Sequence, residues 1–205
     1  MSRTVIVALH GVGSAAGQLA AALAALGTMA EVVALDGPEP FSGGGDGRQW
    51  FSIAGVTEAN RPQRVIQALP PLIGLLDGIA AEHGMARDEL VLLGFSQGAI
   101  MALAAVAQGA HNGRAIAIAG RLAASIVPAA GAPASVLLVH DADDPVMPIW
   151  LFRQAGEAFV SAGHDVTQVQ TEGLGHSIGP ATLAAIAEWL TASACPRAVR
   201  TLSEG

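Results

Sequence analysis

An unbroken apolar run that ends in a glycine-framed serine constrains this chain more than any other feature. Leu90-Val91-Leu92-Leu93 is apolar at every position and lacks the alternation of a half-exposed strand, so it predicts a strand buried on both faces of a sheet. Gly94-Phe95-Ser96-Gln97-Gly98 follows at once, and the pattern from Gln97 to Gln108 is helical. A strand that passes into a helix within two residues needs small neighbours at the turn, which Gly94 and Gly98 supply. Such a turn lifts the Ser96 hydroxyl above the sheet. It also aims the Gln97 amide and the positive end of the helix at the point where an attacked carbonyl oxygen gains charge.

The rest of the chain supplies the layers such a turn requires. Short β-branched or apolar runs alternate with longer helical patterns, the signature of an α/β fold with a mostly parallel central sheet and helices on both faces. Strands are expected at Thr4–Leu9, Glu31–Leu35, Leu90–Leu93, Ala115–Ile118, Ser135–His140 and Asp165–Gln170. Helices are expected from after Ser14 to about Leu26, from about Glu58 to His83 with a bend or break at Pro70-Pro71, and over Gln97–Gln108, Trp150–Ala162 and Gly179–Thr191. The Gly- and Pro-rich stretch from Asp36 to about Ala54 is expected to be a long loop, of the kind that is functional or disordered. A length of 205 residues suits one domain, 1–192, followed by a weakly ordered tail, 193–205.

A serine hydroxyl attacks only when a base removes its proton. Of the six histidines, His83, His111 and His164 sit beside Gly or Asn in stretches that read as solvent-facing turns. His176, in Gly173-Leu174-Gly175-His176-Ser177, lies after the last strand and before the last helix, and is the last histidine in the chain. In an α/β-hydrolase the order is nucleophile, acid, base. The acid is therefore expected between Ser96 and His176 at a strand end, where Asp141-Ala142-Asp143-Asp144-Pro145 stands. Asp144 is the choice, because Pro145 fixes the turn after it; Asp141 and Asp143 are left to cap the turn or face water. The second oxyanion donor is expected in the loop after the first strand, at the Val12 amide of His10-Gly11-Val12-Gly13, with His10 a structural hydrogen-bonder beneath it. Phe51, Met147 and Ile178 are apolar residues of loops expected to converge near Ser96 as substrate walls, whereas Trp50 is expected to pin the long loop.

Leu9-His10-Gly11-Val12-Gly13, Trp50-Phe51, Gly94-Phe95-Ser96-Gln97-Gly98, His140 to Pro148 and Gly175-His176-Ser177 together resemble the phospholipase/carboxylesterase family, which includes the acyl-protein thioesterases. The similarity runs from about residue 4 to residue 191. It implies an α/β-hydrolase fold, a triad of Ser96, Asp144 and His176, oxyanion amides at Val12 and Gln97, and hydrolysis of carboxylic esters or thioesters with no cofactor or metal. Ser14 stands where the family often has Asp, and Ala119 where Ser is frequent. The chain is also short, which points to trimmed loops and to small or medium esters rather than the long acyl chains of thioesterase and lysophospholipase substrates.

Two other readings compete. Gly11-Val12-Gly13-Ser14-Ala15-Ala16, with Asp36 at the end of the second strand, satisfies a dinucleotide-binding fingerprint. It leaves the serine turn, the Asp144 loop and the His176 loop as unrelated accidents. A non-catalytic binding protein on the same fold is the other, since fold alone does not fix function. All ten cationic residues are scattered arginines in a chain of net charge −7, against a nucleic-acid surface. No uninterrupted apolar run has the length of a membrane span. Cys195 is the single cysteine, so no internal disulfide can form. No secretory leader is recognisable, so the expected location is cytoplasmic. With 13 % charged residues the chain also has apolar material for a homodimer interface.

Overall fold

A computed structural model describes residues 4–128 and 132–193. Cys195 and all but the first residue of the expected tail lie outside them. Six strands form one parallel sheet: β1 (Thr4–Leu9), β2 (Ala30–Leu35), β5 (Val91–Phe95), β6 (Arg114–Ile118), β7 (Ser135–Asp141) and β8 (Asp165–Thr171). Their order is β2-β1-β5-β6-β7-β8, and every neighbouring pair is parallel. The strand carrying the serine turn is thus central, and Val91 to Leu93 are fully buried, as an apolar run without alternation requires.

Helices cover both faces. Val5, Val7, Leu9 and Leu92 point into a large apolar cluster with α2 (Arg61–Glu82), α3 (Gln97–Ala107) and α4 (Ile149–Ser161). Ile6, Ala8, Val91 and Leu93 point the other way, into a second cluster with α1 (Ala16–Ala22) and α5 (Pro180–Ser193). All eleven residues of α3 are buried, because it packs between the sheet and α2.

Several elements differ from the sequence reading. The first helix stops at Ala22, and a 3₁₀ turn over Ala24–Thr28 completes the segment. The long loop after β2 contains a small antiparallel hairpin of β3 (Glu39–Pro40) and β4 (Arg48–Gln49). Pro70 and Pro71 do not break α2, which runs 22 residues without interruption. Both prolines are exposed, as are Ile66 and Gln67 one turn before them, so the carbonyls deprived of an N–H partner face water. α2 has the length and apolar composition of a membrane-crossing helix, but Val65, Leu69, Leu72, Leu76 and Ile79 of one face are buried in the core.

Two histidines assigned to solvent are interior. The side chain of His111 is fully buried, 3.5 Å from Asp88, and His164 is 7 % exposed, accepting the Ala134 N–H and lying edge-on to Phe159. Burial disfavours the charged form, so both are held below the ordinary histidine range. Turn composition marked the backbone correctly, but the rings fold back under it.

Candidate active site

Ser96 sits between β5 and α3 with φ +53° and ψ −113°, a left-handed conformation that an L-residue adopts only under constraint. The constraint is close packing on either side. A Cβ on Gly94 would lie 2.2 Å from the Gly98 carbonyl oxygen, and one on Gly98 would lie 2.0 Å from the Leu9 oxygen. The Ser96 N–H is fixed by the Ile118 carbonyl at 2.9 Å. A side chain at Gly94 would push α3 away from β5, and one at Gly98 would push α3 away from β1.

The serine ends a chain of hydrogen bonds across the top of the sheet. Its Oγ is 2.9 Å from His176 Nε2, and His176 Nδ1 is 2.7 Å from Asp144 Oδ2. His176 comes from the loop after β8 and Asp144 from the loop after β7, so three strand ends converge. The Phe95 ring stacks obliquely on His176 with centroids 5.1 Å apart, which limits the imidazole to one plane. Asp144 has a fully buried side chain and also accepts the Val146 and Met147 N–H groups. Burial raises its affinity for a proton, but the bonds from His176, Met147 and Val146 outweigh that and hold it below the usual carboxylate range.

Among the described residues, the Val12 and Gln97 backbone N–H groups have no protein acceptor. Gln97 opens α3, where the first N–H groups have no intrahelical partner. The Gln97 side chain has a separate task that its place in the serine motif did not reveal. Its Oε1 accepts the Trp50 N–H at 2.8 Å, and its Nε2 donates to the Phe51 carbonyl at 2.8 Å. The Trp50 indole N–H donates to the His10 carbonyl at 2.9 Å, tying the long loop to the loop after β1. His10 itself is fully buried, bonded to the Gly11 carbonyl and the Gly37 N–H.

Asp141 does more than cap its own turn. It is 3 % exposed, and its two oxygens take four hydrogen bonds. Oδ1 accepts the N–H groups of Asp143 (3.1 Å) and Gly175 (3.0 Å), while Oδ2 accepts the Thr171 hydroxyl (2.8 Å) and the Leu174 N–H (3.1 Å). Burial opposes its ionisation, yet these four bonds prevail and lower its pKa. Asp141 thereby clamps the acid loop to the residues immediately before His176. Asp143 remains exposed and accepts the Gly173 N–H. A single run of three aspartates offers no sequence signal to separate these roles; only the neighbouring strand's loop does.

The three expected substrate walls are placed differently from one another. Ile178 is half-buried and lines a cavity that also touches His176, Phe95 and Gly11. Met147 is half-buried behind Asp144, with its carbonyl 2.6 Å from His140 Nε2. The Phe51 side chain belongs to the main core and borders a cavity with Pro38, Arg64 and Pro71, which none of Ser96, Asp144 and His176 lines. Asp36, the acid of the dinucleotide fingerprint, accepts the Ala16 N–H at 2.7 Å and so occupies the start of α1 itself. Among the described residues no group of three or more His, Cys, Asp or Glu is arranged to hold a metal ion.

A parallel sheet with a strained serine at a central strand end, hydrogen-bonded to a histidine and an aspartate from later loops, defines an α/β-hydrolase. A sequence model described as phospholipase/carboxylesterase matches residues 1–194. The chain belongs to the phospholipase/carboxylesterase family, and it is an enzyme of the hydrolase class. It is 39 % identical to the esterase YpfH of Escherichia coli over 181 residues, which cover 86 % of this chain and 77 % of that protein. Among solved structures it is similar to esterase PE8, with a TM-score of 0.81, 25 % identity and 93 % of each chain covered. SOBER1 of Arabidopsis thaliana shares the fold at a TM-score of 0.77 and 21 % identity, over 94 % of this chain and 100 % of that one.

Proposed function

We propose that this protein is a serine carboxylesterase that hydrolyses small-to-medium carboxylic esters through an acyl-enzyme on Ser96. The observation that carries the reading is the hydrogen-bonded line from Ser96 Oγ through His176 to the buried, ionised Asp144. Ser96 Oγ attacks the ester carbonyl carbon while its proton passes to His176 Nε2. Asp144 holds the Nδ1–H tautomer and stabilises the imidazolium without taking the proton. The oxyanion that forms is met by the Val12 and Gln97 amides. As the carbon–oxygen bond to the alcohol breaks, Nε2–H protonates the leaving oxygen. Water then repeats the sequence on the acyl-enzyme and releases the acid.

Esterase YpfH and esterase PE8 are named for the same chemistry, which supports an ester over a thioester as substrate. A cytoplasmic location fits the finding that, among the described residues, the one helix long and apolar enough to cross a membrane has a face buried in the core. Ser96→Ala is expected to abolish turnover of p-nitrophenyl esters with an unchanged circular dichroism spectrum, and a fluorophosphonate should label wild type but not the variant. Wild type that folds but is neither labelled nor active on any ester would remove the reading in favour of a binding protein.

A further inference from the structure

Beside His176 lies a cavity of about 250 Å³ on the α1 side of the sheet. Its walls include His176, Phe95, Ile178 and Leu19, with Gln18 and Ala22 toward solvent. Leu19, Phe95 and Ile178 belong to or pack on the α1–α5 apolar cluster, so its body is apolar. Its polar edge includes Ser14, just before α1, and Gln18 in α1, where Ser14 Oγ donates to Gln18 Oε1 at 2.7 Å. The Gln18 amide also brings an NH₂ donor group to this edge.

We infer that this cavity receives the alcohol portion of the ester, and that it selects compact leaving groups with an apolar body and a hydrogen-bond acceptor at the far end. The assignment rests on the esterase reading above and deepens it. Catalysis requires that the leaving oxygen come within hydrogen-bond reach of His176 Nε2, which among the described residues is the base hydrogen-bonded to Ser96 Oγ. Whatever is bonded to that oxygen must then occupy space that the imidazole borders, and this cavity has His176 in its wall. Ser96, to which the acyl group would be bonded, is not among its walls, so the cavity is assigned to the group on the leaving oxygen and not to the acyl group. The cavity has room for a short or cyclic alcohol. An acceptor such as a carbonyl or ether oxygen at the far end of the alcohol would meet the Gln18 amide NH₂.

The test uses full-length enzyme with two substrate series: butyrate esters that differ in the alcohol (methyl, isopropyl, benzyl) and methyl esters that differ in the acid (acetate, butyrate, hexanoate). Ala22→Phe places an aromatic ring at the exposed wall of the cavity. The expected result is a shift of at least about tenfold in the methyl-to-benzyl ratio of kcat/KM, with the acetate-to-hexanoate ratio moving less than about twofold. Gln18→Leu, also at an exposed position, should reduce the preference for 2-methoxyethyl over n-butyl butyrate by about threefold or more, the value of one hydrogen bond. A shift confined to the acyl series, or no shift in the alcohol ratios of either folded variant, overturns the assignment. Loss of fluorophosphonate labelling in wild type would instead overturn the esterase reading, so the two failures are distinguishable.

Discussion

Replacing Asp141 by Asn tests whether the clamp between the acid loop and the histidine loop sets the position of the base. The variant keeps the shape of the side chain and one of its two oxygens. With that oxygen toward Asp143 and Gly175, the new NH₂ faces the Thr171 hydroxyl and the Leu174 N–H, which were 2.8 and 3.1 Å from Oδ2. Thr171 can rotate its hydroxyl to accept, but the Leu174 N–H is left against a donor. Two charge-assisted bonds are lost or reversed, and hydrogen bonds to charged groups are worth about 1.5–3 kcal/mol each. With partial recovery at Thr171, the expected loss is about 3 kcal/mol, or about 6–12 °C in Tm for a chain of this size. Displacement of the loop before His176 by as little as ~1 Å can cost ~10² in rate. The expected kinetics are therefore a kcat lower by about 10- to 100-fold with KM within about threefold, measured on p-nitrophenyl butyrate. Asp141 has a depressed pKa when folded, so its stabilisation is present above the unfolded carboxylate pKa of about 3.9 and is lost as pH falls through the folded value. The gap in Tm between wild type and variant should close on acidification below about pH 4. A variant with the predicted Tm loss but a kcat within twofold of wild type would refute the positioning argument.

Two further outcomes follow from buried polar groups. Gln97→Leu removes both partners of the Trp50 N–H and the Phe51 carbonyl, which are buried; at about 1–3 kcal/mol per unsatisfied group the expected loss in urea unfolding is about 2–6 kcal/mol. An unchanged midpoint would show that the long loop is held without this side chain. For His111 and His164 the folded state resists protonation, so the unfolded chain binds more protons below about pH 6.5 and stability falls as pH drops from there. The slope is at most about 1.4 kcal/mol per pH unit for each ring, and His164→Gln should flatten the Tm-against-pH curve between pH 7 and 5; an unaltered curve counts against the burial argument.

The sequence showed the frame of the site because each part leaves a local mark. An apolar run without alternation, two glycines at fixed spacing and a histidine after the last strand are readable one at a time. What escaped detection depends on contacts between distant segments. Nothing near Gln97 announces that its side chain holds residues 50 and 51, and nothing in the run of aspartates tells the clamp from the acid. The burial of His111 and His164 was hidden for the same reason, since glycine neighbours report backbone geometry and not where a ring turns. Pro70 and Pro71 misled in the opposite sense: their local rule is sound, but it yields where the deprived carbonyls face water.

Strand β8 pairs with β7 alone, at the margin of the sheet, and most of its side chains are exposed. Ser96 stands at the end of β5, a central strand flanked by β1 and β6. Ser96 and His176 thus belong to regions of unequal persistence, since marginal strands open at lower free energy than central ones. Warming is therefore expected to loosen the loop that carries His176 before it disturbs Ser96, so that heat inactivation would begin at the rim of the sheet, ahead of the melting of its core.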